Sequence, residues 1–228
     1  MVSTVIKSQS VVVVDYGSGN LRSVAQALQA VAEPHTTITI SNDAAVIKAA
    51  HRVVLPGQGA MPDCMRHLYT SGLLEAVLDA ANNKPLMGIC VGQQMLLDSS
   101  TEADTPHTFT PALGLIAGQV IRFASNLIDT HGNRLKVPHM GWNQVFYNTS
   151  ADESHAIFSG IPSGERFYFV HSYYAQPTNK THNLAVTDYG IKPCVAVGRD
   201  NLIGLQFHPE KSSTAGLKLF KNFLNWAI

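Results

Sequence analysis

A chain of 228 residues with sixteen basic and sixteen acidic side chains offers no charged stripe for nucleic acid or an anionic membrane. Its length suits one α/β domain that buries roughly 70 to 75 per cent of its unfolded surface, so we expect a single domain over residues 1–228, about the first ten forming a loose extension. No run reaches the ~18 apolar residues of a membrane span and residues 1–10 lack the apolar centre of a secretion signal; with three cysteines that cannot all pair, a cytoplasmic location without membrane attachment is expected.

Short apolar runs at residues 11–15, 36–40, 52–55 and 85–89 read as strands, and helical patterns separate them. The first helix sets Val24, Ala27, Leu28 and Val31 on one stripe. Ser41 is placed to cap a second over about 42–50, and a third runs through Leu73, Leu74, Val77 and Leu78. Such alternation predicts βαβ units and a mostly parallel open sheet with flanking helices. Beyond residue 94 the texture changes, and 116–123, 143–147, 167–174, 184–187 and 195–208 read mainly as strands, expected as antiparallel additions. The polar stretch 99–111 is the expected flexible loop. A closing helix carries Leu217, Phe220, Leu224 and Ala227 at helical spacing. The ten histidines show no metal-ligand spacing, and Gly17-x-Gly19 has Arg22 where a dinucleotide fingerprint needs its third glycine. Neither a metal nor a cofactor is expected.

Cys90 stands between Gly88 and Gly92 where the fourth apolar run gives way to a helical pattern. Strand, tight turn and helix around a nucleophile is the arrangement that α/β hydrolases build around serine, and a thiol on the first turn of a helix is biased toward thiolate. A free cysteine is otherwise often a buried small hydrophobe, which is how Cys64 and Cys194 read. Near the other end, a short apolar run ends in His208-Pro209-Glu210. Imidazole titrates in the range useful for proton transfer, and in extended chain Glu210 points to the same side as His208 and can fix its tautomer. Alone, this tripeptide also fits a solvated strand end.

Gly-Ile-Cys-Val-Gly-Gln-Gln followed far downstream by His-Pro-Glu resembles the class I, triad-type glutamine amidotransferases. The resemblance implies that Cys90 attacks the side-chain amide of glutamine to give a thioester and ammonia, that His208 is general base and acid, and that Glu210 orients it. It implies that Gln94, one turn from Cys90, helps hold the substrate, with Ser172 and Tyr173 in the same binding set. Val91 N–H and the loop with Gly57, Gln58 and Gly59 are implied as oxyanion donors, Gln58 standing where many relatives carry valine. The glycines beside it suggest that the Gly57–Gln58 peptide is adjustable.

Asp15-Tyr16-Gly17-Ser18-Gly19-Asn20-Leu21, Pro138-His139-Met140-Gly141-Trp142-Asn143 and the stretch 168–173 are similar to segments of the glutaminase subunits of imidazole glycerol phosphate synthases. That likeness implies a heterodimer with a (β/α)₈ barrel cyclase, which uses the ammonia to make imidazole glycerol phosphate and an aminoimidazole carboxamide ribotide. Asn20, Trp142, Asn143 and Lys211 are the interface candidates. Competing readings are a subunit feeding another synthase, a partner-independent γ-glutamyl hydrolase and a non-enzymatic docking subunit; the last needs no nucleophile.

Overall fold

The computed structural model describes residues 8–147 and 155–228; residues 1–7 of the expected N-terminal extension lie outside it. The strands are β1 (Gln9–Val14), β2 (Thr36–Ser41), β3 (Arg52–Gly57), β4 (Leu86–Cys90), β5 (Ser99–Ser100), β6 (Thr110–Pro111), β7 (Gly118–Arg122), β8 (His139–Tyr147), β9 (Glu165–His171), β10 (Tyr173–Pro177), β11 (Asn183–Val186), β12 (Cys194–Arg199) and β13 (Leu202–Leu205). The helices are α1 (Leu21–Val31), α2 (Ala44–Ala49), α3 (Met61–Thr70), α4 (Leu74–Asn83), α5 (Val91–Gln94) and α6 (Ser213–Asn225).

The expected parallel core is present, in the spatial order β2, β1, β3, β4, β13, every neighbouring pair parallel. Val11 to Val14, Val53 to Leu55, and Leu86 with Met87 are all buried, because strands covered on both faces by helices need apolar side chains at every position. From β13 the sheet continues antiparallel through β12, β10 and β7, while β11 links β12 to the long β8–β9 pair. The additions are therefore as extensive as the parallel core.

Several boundaries differ from expectation. The extension is shorter, since Gln9 and Ser10 already pair with Thr36 and Thr37 in β1. Asp43, not Ser41, caps α2 by accepting the Ala45 N–H at 2.8 Å; Ser41 Oγ accepts two residues earlier, from Asp43 N–H. Helix α3 has no counterpart among the sequence patterns, because Pro62 reads as a breaker although the first helical turn tolerates it. The stretch 195–208 is broken by a turn at Asp200, whose φ is +48°, and 167–174 is broken at Ser172. The polar stretch 99–111 begins and ends in strands, with Asp98 Oδ2 accepting the Gly118 N–H at 2.8 Å beside it. Helix α6 stops at Asn225, so Ala227 falls beyond it, and the buried stripe is Leu219, Phe220, Phe223 and Leu224.

Two buried histidines and the half-buried His155 tie stability to acid. Burial pushes His139 and His155 down to about 4 and His171 to about 3, so the folded chain keeps all three neutral where the unfolded chain takes up protons near 6.5. Between pH 6.5 and about 4 the unfolded state binds more protons, and stability falls with pH by up to about 1.4 kcal/mol per unit for each group. His155 also caps a short turn by accepting the Ile157 N–H, a role asparagine can fill without titrating. In His155→Asn, the drop in thermal midpoint between pH 7 and pH 5 should shrink by roughly a third; an unchanged drop would contradict this.

Candidate active site

Strand β4 ends at Cys90, whose φ of +56° and ψ of −113° lie in a region that a non-glycine residue rarely adopts. The turn is possible because its neighbours have no Cβ: one on Gly92 would collide with the Leu55 carbonyl oxygen, and one on Gly88 with the Gly92 carbonyl. These contacts press the elbow onto β3, where Gly57 pairs with Cys90. The helix expected after the elbow is a single turn, α5. Its free amide donors are present, but one turn carries little of the macrodipole of a longer helix.

Because β13 pairs in parallel with β4, Leu205 beside Ile89, the chain leaving β13 runs past Cys90 through Gln206 and Phe207 to His208. His208 N–H donates to the Tyr168 carbonyl at 2.9 Å, and Ser212 Oγ donates to the His208 carbonyl at 2.6 Å. His208 Nδ1 lies 2.9 Å from Glu210 Oε1, with the two side chains 6% and 1% exposed. The opposite ring nitrogen, Nε2, is buried and has no hydrogen-bond partner among the described residues. Burial opposes an imidazolium here, but interaction with the Cys90 thiol and then with Glu210 outweighs it, raising His208 to about 10. The ring is thereby held as the imidazolium at neutral pH. Cys64 and Cys194 differ: burial pushes both thiols up, and all three cysteines are free.

A cavity of about 340 Å³ opens beside the sulfur. Of the residues singled out from sequence, Gln58, Gly59, Cys90, Val91, Gln94, Ser172, Tyr173, His208 and Lys211 line it, whereas Gly57 and Glu210 stand behind the wall. Pro138, Val170 and His171, noted from sequence only as parts of similar segments, also line it, and Glu102 was missed altogether. Glu102 had no local signal, since it lies in the polar stretch read as a loose loop. It is fixed there: Oε2 accepts the Met61 N–H at 2.9 Å, and its carbonyl accepts from Thr110 Oγ1 at 2.6 Å. Burial raises its carboxyl above the ordinary range.

The segment from Asp15 to Asn20 clamps this site. Asp15 Oδ1 accepts the Gly17 N–H, and Tyr16 Oη donates to the Pro56 carbonyl at 2.8 Å. Gly19, with φ +107°, packs against Pro56 where a Cβ would crowd it. Ser18 Oγ donates to the Gln58 carbonyl at 2.8 Å and accepts the Gln58 N–H at 3.3 Å, so that amide is engaged away from the sulfur. Asn20 Nδ2 reaches Glu210 Oε1 at 3.4 Å, behind the triad acid. Asn143 also turns inward, donating to the Asp188 carbonyl at 2.8 Å and facing His139 Nε2 at 3.2 Å. Trp142 remains 48% exposed, edge-on to Tyr168, and Lys211 Nζ sits 5.8 Å from the Tyr168 ring centre. Of the four interface candidates, only Trp142 and Lys211 present an outward side chain.

Among the described residues no helix is long and apolar enough to cross a membrane, and no three His, Cys, Asp or Glu side chains converge as a metal site. The family model described as glutamine amidotransferase class-I matches residues 12–226. The imidazole glycerol phosphate synthase subunit HisH of Dechloromonas aromatica is 51% identical over 222 residues, covering 97% of this chain and 98% of that protein. HisH of Aromatoleum aromaticum is 50% identical over 218 residues, covering 95% and 98%. Among solved structures, PurLQS from Thermotoga maritima aligns with a TM-score of 0.65 at 19% identity, covering 96% of this chain and 99% of that one. A glutamine amidotransferase aligns with a TM-score of 0.67 at 18% identity, covering 94% and 97%. At those identities the structural likeness speaks for the fold.

Proposed function

The chain belongs to the class-I glutamine amidotransferase family, and from that premise we propose how its cleft makes ammonia and where the ammonia goes. Its function is that of the glutaminase subunit of an imidazole glycerol phosphate synthase, in histidine biosynthesis. The observation that carries this is 51% identity across 97% of the chain to such a subunit.

In this reading Cys90 is the nucleophile. With His208 protonated, the thiolate attacks the side-chain carbonyl carbon of glutamine, and the carbonyl electron pair moves onto oxygen. As that oxyanion collapses the C–N bond breaks, and His208 gives its proton to the leaving nitrogen, freeing ammonia and leaving a glutamyl thioester. Water then attacks the thioester, His208 takes its proton, and cleavage of the C–S bond releases glutamate and regenerates the charged pair. Glu210, 2.9 Å from Nδ1, holds the ring. Asn20, at 3.4 Å from Glu210 Oε1, steadies the acid.

Glutamine brings an α-ammonium, which the Glu102 carboxylate suits as a counter-charge on the cavity wall. Gln94 contributes its amide oxygen, since its Nε2 is already committed to the Tyr173 carbonyl and Gln206. Ser172 and Tyr173 close the same side. Val91 N–H is the fixed oxyanion donor, and the Gly57–Gln58 peptide supplies the second after turning. The hydrogen bond from Gln58 N–H to Ser18 Oγ supports that motion being needed, because it occupies the donor in this conformation. Gly59, with φ +93° and open space around it, lets the peptide rotate.

The chain acts with a cyclase subunit. We take that partner to be a (β/α)₈ barrel forming a heterodimer over β8 and the mouth of the cleft, where Met140 and Trp142 are 66% and 48% exposed on alternate positions and Lys211 lines the rim. An exposed apolar pair beside a catalytic opening suits a docking face that also keeps ammonia from solvent.

Three measurements test this reading. Cys90→Ala, mixed with the cyclase and its nucleotide, should keep ammonia-driven synthesis and abolish glutamine-driven synthesis; retained use of glutamine would overturn the nucleophile. Glu102→Gln should raise the KM for glutamine by about tenfold with a smaller change in kcat, and an unaltered KM would remove Glu102 from the substrate site. Ser18→Ala should increase glutamate release by the chain without its partner, whereas equal rates would mean that something else holds the loop.

A further inference from the structure

Gln206 lies outside every role so far described, yet it is fully buried at the sulfur. It follows β13 by one residue, and its backbone N–H, bonded to the Val195 carbonyl at 2.9 Å, continues the pairing with β12. Its Oε1 accepts from Gln94 Nε2 at 2.9 Å, and its Nε2 stands 3.9 Å from Cys90 Sγ, the long limit for a donor to sulfur.

The orientation of this amide follows from its surroundings. The Tyr173 carbonyl can only accept a hydrogen bond. Gln94 must therefore offer it the NH₂ group, which it does at 3.3 Å, and the other hydrogen of that group points to Gln206. Gln206 must answer with its oxygen, which leaves its own NH₂ toward the sulfur. The same carbonyl is met from the other side by His171 Nδ1 at 2.8 Å. That nitrogen must carry the proton, so His171 Nε2 accepts from His139 Nδ1 at 2.9 Å, and His139 Nε2 faces the Asn143 amide at 3.2 Å. One acceptor thus fixes the direction of every hydrogen bond from Asn143 to the active-site thiol.

We propose that Gln206 is a further catalytic residue of the glutaminase, donating its side-chain N–H to Cys90 Sγ to favour the thiolate, with its orientation locked through Gln94 by the Tyr173 carbonyl. This rests on Cys90 being the nucleophile. An N–H aimed at sulfur stabilises the anion more than the neutral thiol. His208 supplies a full charge to the same atom, and Gln206 supplies a neutral donor that does not have to move during proton transfer. The cation is consumed when His208 protonates the leaving nitrogen, while the amide donor is still present to receive the departing thiolate when the thioester breaks.

The proposal is tested with the purified chain in complex with its cyclase, using Gln206→Glu and Gln206→Met. Both conserve volume; the first keeps an acceptor for Gln94 and puts a carboxylate at the sulfur, and the second removes donor and acceptor together. The rate of iodoacetamide alkylation at Cys90, followed against pH by peptide mass spectrometry, reports the thiolate directly. Either variant should move the midpoint of that profile upward, making alkylation at pH 7 about tenfold slower. For Gln206→Glu kcat should fall more than KM rises, and Gln206→Met should also raise KM, because Gln94 loses its orientation. Retained ammonia-driven synthesis certifies the fold of each variant, and if one misfolds the other decides. An unshifted alkylation midpoint in a folded variant would overturn the role. Failure of the underlying reading looks different: Cys90→Ala would still use glutamine, and both assignments would then be withdrawn.

Discussion

The site depends on one pairing, the parallel register of β13 against β4. The last strand of the chain inserts in the middle of the sheet, between β4 and β12, and sets Leu205 beside Ile89. From there the two chains leave the sheet at the same edge, one into the Cys90 elbow and the other into Gln206, Phe207 and His208. A slip of one residue would reverse which side chains face the cleft, exchanging buried Phe207 for His208 beside the sulfur. The register is protected by the fit of the strands: Gly204 packs on Gln93, and Leu202, Ile203 and Leu205 are all buried. Chemistry at the cleft is in this sense a by-product of strand packing below it.

What the sequence made legible was local. Gly-x-Cys-x-Gly and His-Pro-Glu each place their atoms within a few residues, so spacing alone revealed them, and the alternation of apolar runs with helical stripes revealed the parallel half of the sheet. Glu102 escaped because nothing around it repeats; its position comes from bonds to Met61 and Thr110, which sequence spacing does not encode. Helix α3 escaped because Pro62 means opposite things inside a helix and at its start. Asn20 and Asn143 were interface candidates through the likeness of their segments to glutaminase subunits. Within the chain they hydrogen-bond to Glu210, Asp188 and His139, contacts that spacing did not reveal. Gln206 was visible in the same run as His208, but its meaning needed the Tyr173 carbonyl and Gln94.

The cleft combines readiness with restraint. His208 is already fixed by Glu210, the Tyr168 carbonyl and Ser212. The loop proposed to supply the oxyanion donor is tied back: Tyr16 holds Pro56, Ser18 holds both polar atoms of the Gln58 backbone, and Cys64 adds a weak contact to the same carbonyl. On the mechanism proposed above, such a subunit keeps its histidine and acid in place and withholds the stabilisation of the tetrahedral state, which is where an oxyanion donor is worth most. On the same proposal, dependence on a partner resides in one peptide unit, while Cys90, His208 and Glu210 stay fixed.

The two tryptophans divide between opposite environments. Trp226 is 6% exposed beside Phe223 and His155, whereas Trp142 is 48% exposed on β8. An indole that leaves water shifts its emission to shorter wavelength, and one already enclosed does not. The chain therefore carries an intrinsic fluorescent gauge of whatever comes to cover β8, with its own internal standard at the far end of α6 and no dye or label required.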